Sequence, residues 1–204
     1  MMTPLWNRYV FRRGVEAQDM WDQMFVGRKR PVALLYIGGR GFDVRAQVVM
    51  DKFISSLQTS GCVVEKAELV LVSFTGYQLS EDLKTLTEKN AKALESKFAP
   101  IGSTKTVIIG SSADDEDHVS VNNALRRGAK EVLRTIDNQT DILLDISSMP
   151  RIAYLSLLLG ILEYLIVDRE PDFRSLRAKD INFQVLVGED AATRQPDHIG
   201  GSKQ

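Results

Sequence analysis

Cysteine, histidine and long apolar runs are scarce in this chain, and each scarcity narrows what the protein can be. Cys62 is the one cysteine among 204 residues, so no disulfide can form within the chain, which is typical of proteins from reducing compartments. The two histidines, His118 and His198, are far apart in polar surroundings, and with a single cysteine they do not predict a zinc site. We therefore expect no metal centre.

Neither sign of charge is in excess. The chain has 26 Lys and Arg residues against 27 Asp and Glu residues, so it lacks the basic excess that duplex nucleic-acid binding requires. The most apolar segment, 152–167, is shorter than the roughly 20 residues of a membrane span. It predicts a helix that packs in a core or against a partner. Because no signal peptide is visible either, we expect a cytoplasmic protein without a membrane segment.

Apolar runs alternate with amphipathic segments along the chain. Strands are predicted at 32–37, 68–74, 106–109, 141–146 and 183–187, and helices at 45–57, 80–98, 121–136 and 152–167. Four strand–helix pairs followed by a strand are typical of βαβ units. The sequence therefore predicts the α/β class, with a single Rossmann-like three-layer domain and a mostly parallel sheet of about five strands.

The predicted domain covers residues 31–190. The segment 1–30 contains several aromatic residues, and we expect it to be an N-terminal extension that packs on the sheet edge. The last segment, 191–204, is polar and glycine-containing, which is typical of a flexible tail.

Small, hydroxylic and charged residues follow each of the first four predicted strands. In an open α/β sheet, ligands bind beyond the carboxyl ends of the strands, so we expect a binding site there. The predicted ligand-binding residues are Gly38, Gly39, Arg40, Gly41, Arg45, Ser73, Ser111, Ser147, Ser148 and Arg151.

The segment from Asp145 to Arg151 is the most informative of these. It joins a buried strand to the apolar helix, and it offers backbone N–H groups at a helix start, two hydroxyls and a guanidinium. This combination is typical of an anion-binding turn. A plainer interpretation makes Ser148 a helix N-cap and Pro150 a first-turn proline, but it leaves Asp145 and Arg151 unexplained.

The glycine-rich segment 38–45 begins like a dinucleotide-binding fingerprint. Val44 stands where the third glycine of that fingerprint would be, so we expect neither a nicotinamide nor a flavin and no cofactor at all. Arg40 and Arg45 flank the turn, and the glycines would let a ligand approach the backbone. The alternative is an ordinary tight turn with solvated arginines.

The sequence gives fewer indications of catalysis than of ligand binding. No serine lies in a G-x-S-x-G motif, and no histidine lies near a strand end to act as a base. If the protein is an enzyme, Asp145 and Asp43 are the best candidates for a catalytic acid, base or nucleophile, because both lie at strand ends beside arginines. The acidic run 114–117 would suit Mg²⁺, although a solvated loop explains it better.

The turn from Asp145 to Arg151 resembles the ligand loop of CARF-type Rossmann domains, and the glycine-rich turn lies where that family has its second ligand loop. The likeness covers these two loops and the strand–helix order of about 140 residues. Met149, Pro150 and Arg151 stand where the family usually has Gly-x-Lys. The resemblance implies a prokaryotic sensor of antiviral defence that binds a cyclic oligonucleotide or related nucleotide across a dimer, with Ser147, Ser148 and Arg151 contacting the phosphate or ribose.

Three functions are therefore considered. The first is a sensor or regulatory protein that binds a nucleotide or another phosphate-bearing ligand. The second is an enzyme on the same scaffold, a hydrolase or transferase that processes a nucleotide or nucleoside. The third is a non-catalytic assembly subunit that uses the helix 152–167 to form a homodimer or bind a partner protein.

Overall fold

The computed structural model describes residues 11–75, 78–110, 118–136, 138–165 and 181–189, and within residues 118–122 it describes the backbone alone. The predicted 191–204 tail, Ser111 and the acidic run 114–117 lie outside the described residues. In chain order the elements are α1 (Val15–Phe25), β1 (Val32–Gly39), α2 (Arg45–Thr59), β2 (Val64–Phe74), α3 (Glu81–Phe98), β3 (Ser103–Ile109), α4 (His118–Leu133), β4 (Asp141–Asp145), α5 (Arg151–Leu165) and β5 (Asn182–Leu186).

The five described strands form one sheet in the order β3-β2-β1-β4-β5, and every neighbouring pair is parallel. The prediction of an α/β domain built on a parallel sheet is confirmed. The strand order reverses at the centre of the sheet, because β2 and β3 lie on one side of β1 whereas β4 and β5 lie on the other.

Helices cover both faces of the sheet. Apolar residues of α1, α2 and α3 form one core with the strands, around the fully buried Phe53, Phe98 and Tyr36. Apolar residues of α4 and α5 form a second core on the other face, around Val132 and Leu157. The result is the three-layer arrangement that alternating strands and helices predict.

Some predicted boundaries were wrong. The sequence predicts a turn at Gly38 and Gly39, but strand β1 continues through both, because Gly38 pairs with Leu71 of β2 and with Asp145 of β4. Strand β2 begins at Val64, before its predicted start, where exposed charged residues hide the strand pattern. At the start of α3 the Ser80 hydroxyl accepts a hydrogen bond from the backbone N–H of Leu83 and caps the helix.

Helix α1 comes from the segment 1–30. It packs against α2, and the indole N–H of Trp21 donates a 2.8 Å hydrogen bond to the side-chain oxygen of Gln184 in the edge strand β5. The turn after α1 carries Arg28, which makes two hydrogen bonds of 2.9 and 2.7 Å to the fully buried carboxylate of Asp141. This ion pair joins the N-terminal segment to the start of β4.

Among the described helices, none combines the length and the apolar character needed to cross a membrane.

Candidate functional site

The candidate site lies at the carboxyl edge of the sheet, between β1 and β4. These neighbouring strands flank the point where the strand order reverses, and their connections leave toward opposite faces: β1 continues into α2 and β4 into α5. A crevice opens at such a point in open α/β sheets, and ligands commonly bind there. We call residues 40–44 the β1–α2 loop and residues 146–150 the β4–α5 turn.

The β1–α2 loop and the β4–α5 turn touch each other. The hydroxyl of Ser148 donates a 2.7 Å hydrogen bond to the carbonyl of Gly39. A Cβ atom on Gly39 or on Gly41 would lie within 3.0 Å of the carbonyl oxygen of Ser148. Glycine is therefore required at both positions for the two connections to pack this closely. The sequence predicts that these glycines let a ligand approach the backbone, but in the structure the β4–α5 turn makes that close approach.

A buried asparagine holds the β1–α2 loop from the other side. The amide nitrogen of Asn90 in α3 donates hydrogen bonds to the carbonyls of Gly41, at 2.6 Å, and of Asp43, at 3.2 Å. Its own oxygen accepts a hydrogen bond from Gln47 of α2. Asn90 is 1% exposed, so the loop is fixed by a buried polar contact and its shape is defined without a ligand.

Asp145 organises the β4–α5 turn. Its carboxylate accepts hydrogen bonds from the hydroxyl of Tyr36 at 2.7 Å, the backbone N–H of Ser147 at 2.9 Å and the hydroxyl of Ser147. The Ser147 hydroxyl in turn accepts a 2.7 Å hydrogen bond from the backbone N–H of Gly188, just beyond β5. One carboxylate thus links the carboxyl ends of β1, β4 and β5.

Burial dominates the titration of this group. The side chain of Asp145 is 1% exposed, and this burial raises its pKa above the usual 3.8, although the hydrogen bonds from Ser147 and Tyr36 act in the opposite direction. Burial also raises the pKa of Tyr36, and the neighbouring Asp145 charge adds to that increase. The Tyr36 hydroxyl therefore keeps its proton and remains a donor to Asp145.

Two of the three predicted arginines have carboxylate partners. Arg40 bonds both carboxylate oxygens of Glu88 in α3, at 2.8 and 2.7 Å, and Arg45 forms an ion pair with Asp43. The hydrogen bond from Arg45 lowers the pKa of Asp43, so this carboxylate stays ionised and offsets the charge of Arg45.

Arg151 differs from them. It is the first residue of α5 and is exposed, and it takes part in none of the ion pairs found among the described residues. Arg151 therefore supplies positive charge that no described carboxylate offsets.

The remaining predicted residues are more dispersed. Ser73 lies within β2, beside β3, and is half-buried. A shallow cleft of about 470 Å³ opens next to the end of that strand, lined by Phe74, Thr75, Gln78, Leu79 and Lys84. None of these lining residues belongs to the β1–α2 loop or the β4–α5 turn. In the part of the chain that the structure describes, no three His, Cys, Asp or Glu side chains gather as a metal site would require.

Sequence reasoning missed three residues that shape this edge. Tyr36, Asn90 and Gly188 each contribute a hydrogen-bond donor to the loops or to their supports. Only Tyr36 left a signal, as a hydroxyl within the otherwise apolar run of β1.

Comparison with protein-family models, curated proteins and solved structures gives no match for this chain.

Proposed function

We propose that this protein binds a phosphate-bearing small molecule, with a nucleotide as the leading case, and acts as a sensor or regulatory protein. The observation that carries the proposal is the pairing of β1 with β4 at the reversal of strand order, with Arg151 exposed at the start of α5. An anion at that edge would meet the guanidinium and the positive end of the helix together.

The charges at this edge favour an anion. Arg40 and Arg45 are balanced by Glu88 and Asp43, whereas Arg151 has no carboxylate partner among the described residues. A planar guanidinium can donate two parallel hydrogen bonds to a phosphate, which gives both charge and orientation.

The enzyme hypothesis receives less support from the geometry. Asp145 is almost wholly buried and accepts three hydrogen bonds within the protein, so a substrate would have to displace them to reach its oxygens. Asp43 is held by Arg45. Both carboxylates act within the protein as supports for the loops, which suits a binding site better than a catalytic one.

Thermal unfolding in the presence of ligands tests the proposal. ATP, AMP, a cyclic dinucleotide and inorganic pyrophosphate would be titrated against the whole chain. A ligand that binds the folded state adds about 2.7 kcal/mol of stability at a hundredfold excess over its dissociation constant, and the melting temperature rises accordingly. We expect at least one phosphate compound to produce this increase.

Arg151→Ala should abolish the increase, since it removes the guanidinium without altering the core. Arg126→Ala, which removes an exposed arginine of α4, is the matched control and should preserve it. The proposal fails if none of the four compounds stabilises the protein or if the stabilisation survives in Arg151→Ala. Consumption of the nucleotide during the assay, lost in Asp145→Asn, would instead favour the enzyme.

A further inference from the structure

Helix α4 carries a row of exposed cations on its outer side. Arg126, Arg127 and Lys130 are all exposed there. Arg134 extends the row into the turn after the helix, where its backbone N–H donates a 3.0 Å hydrogen bond to the carbonyl of Lys130. None of these four side chains forms an ion pair with another described residue. We call residues 126, 127, 130 and 134 the basic row, and its charge is available to an anion outside the protein.

Helix α3, which lies on the other face of the sheet, has no such excess of positive charge. It contains four carboxylates and four lysines, at positions 81, 82, 88 and 95 and at positions 84, 89, 92 and 97. The whole chain has a formal net charge of -1. The positive charge of the basic row is therefore a property of one surface and does not follow from the composition.

An apolar stripe lies beside the basic row, on the outer side of α5. Ile152, Leu155 and Leu159 are 44%, 42% and 66% exposed, and they lie opposite the row that is buried against the sheet. Gly160 lets the two helices approach closely, since a Cβ atom there would lie 2.6 Å from Cδ1 of Leu133 in α4. The outer sides of α4 and α5 therefore form one surface. We call residues 152, 155 and 159 the apolar stripe.

Two cations of the basic row lie on the side of α4 that meets α5. Arg126 and Lys130 precede Leu133 by seven and three residues, so at 3.6 residues per turn they lie on the same side as Leu133. Glu131, the only carboxylate in α4, precedes Leu133 by two residues and lies on the opposite side. Glu163, the only carboxylate in α5, follows the apolar stripe near the end of its helix. Cations and apolar side chains thus adjoin where the two helices meet.

We propose that the basic row and the apolar stripe together dock on an anionic membrane surface. At the boundary of a bilayer the charged lipid heads lie directly above the acyl chains, so a protein that rests there uses cations and apolar side chains on one surface. The α4–α5 surface provides both. A single-stranded nucleic acid is a poorer match for the same charge, because its bases stack on aromatic rings and the apolar stripe is aliphatic.

This docking does not depend on the proposed ligand. Arg151 precedes Gly160 by nine residues, which at 3.6 residues per turn places it on the side of α5 away from α4. The two proposals therefore use different cations. Lipid binding is measured without any nucleotide and nucleotide binding without any lipid, so either proposal can fail while the other stands.

Co-sedimentation of the whole chain with vesicles tests the proposal. One set of vesicles contains equal parts of phosphatidylserine and phosphatidylcholine, and the other contains phosphatidylcholine alone. We expect binding to the anionic vesicles to be at least about tenfold tighter, and to weaken when the salt concentration rises from about 0.1 M to about 1 M. Absence of binding to the anionic vesicles, or equal binding to both sets, would overturn the proposal and favour an acidic protein as the occupant of this surface.

The basic row is tested by removing two of its charges. Arg127→Gln combined with Lys130→Gln should weaken binding to the anionic vesicles about 25-fold, since each cation near such a surface contributes about fivefold. Lys89→Gln combined with Lys92→Gln is the matched control, because it removes the same charge from exposed positions of α3. An equal loss in the two double variants would mean that net charge alone drives the binding, and would contradict docking through α4 and α5.

The apolar stripe is tested by Leu159→Ser, which removes its most exposed side chain and should weaken binding to the anionic vesicles about tenfold. Leu86→Ser is the matched control, because Leu86 is 45% exposed on α3, on the other face of the sheet. Wild-type binding by Leu159→Ser would refute the insertion of the apolar stripe.

Discussion

Replacing Tyr36 with phenylalanine removes one hydroxyl from a side chain that is 1% exposed and leaves the packing of its ring in place. The hydroxyl donates a 2.7 Å hydrogen bond to the buried carboxylate of Asp145. A hydrogen bond to a charged group contributes roughly 1.5–3 kcal/mol, and the acceptor left behind is buried. Because Ser147 still donates to the same carboxylate, we expect the free energy of unfolding to fall by about 2 kcal/mol.

The loss should depend on pH. The pKa of Asp145 is raised in the folded state. This group therefore stabilises the fold fully below pH 3.8, its usual pKa, and the stabilisation is lost as the pH rises through the folded-state pKa. The Tyr36 hydrogen bond opposes that increase, so its removal raises the pKa of Asp145 further. The cost of Tyr36→Phe should therefore be largest where Asp145 is ionised and smaller in acid.

Urea unfolding followed by circular dichroism at about pH 8 and about pH 4 measures both effects, and a loss of about 2 kcal/mol should also lower the melting temperature by about 4–8 °C. Tyr154→Phe in α5 is the matched control, because its half-buried hydroxyl has no hydrogen-bond partner among the described residues. An equal cost at both pH values, or a cost no larger than that of the control, would refute the role assigned to the Tyr36–Asp145 pair.

Two further substitutions test how the loops and the N-terminal segment are attached. Gly41→Ala should lower the free energy of unfolding by about 1–3 kcal/mol, because its Cβ would collide with a backbone carbonyl of the β4–α5 turn. Gly38→Ala is the control and should lower it much less, because a Cβ there has ordinary contacts. Thermal melts of both variants measure the difference, and equal losses of stability would show that the turn can move aside. Arg28→Met should cost about 3 kcal/mol in chemical unfolding, because it leaves the fully buried Asp141 without its guanidinium; a cost below about 1 kcal/mol would mean that this ion pair does little to hold the N-terminal segment.

The strands and helices were largely predictable because the apolar residues follow the spacing that a sheet with two covered faces demands. Residues 32–37 and 142–144 are continuous apolar runs, as parallel strands buried on both sides require. The end of β1 was less predictable. Gly38 and Gly39 resemble a turn in sequence, but pairing with the strands on both sides keeps them in the sheet.

The partners of the polar residues could not be predicted from the sequence. Proximity in the chain associates Asp145 with Arg151, whereas the donors to Asp145 include Tyr36, which lies 109 positions away. The same is true of Asn90, whose neighbours along α3 give no hint that it holds the β1–α2 loop. Such contacts depend on strand order, and local patterns leave strand order undetermined.

Both hydroxyl protons of the β4–α5 turn are already engaged within the protein, that of Ser147 by Asp145 and that of Ser148 by the carbonyl of Gly39. Three backbone N–H groups of the turn, those of Ile146, Ser147 and Met149, are engaged as well, and Pro150 has none. A bound molecule can therefore meet the N–H of Ser148, the first N–H groups of α5 and the guanidinium of Arg151, but not a rotating hydroxyl that adjusts to different acceptors. Recognition by such a turn responds to the charge and size of an anion far more than to its chemical identity, and discrimination among related compounds must come from surfaces around it.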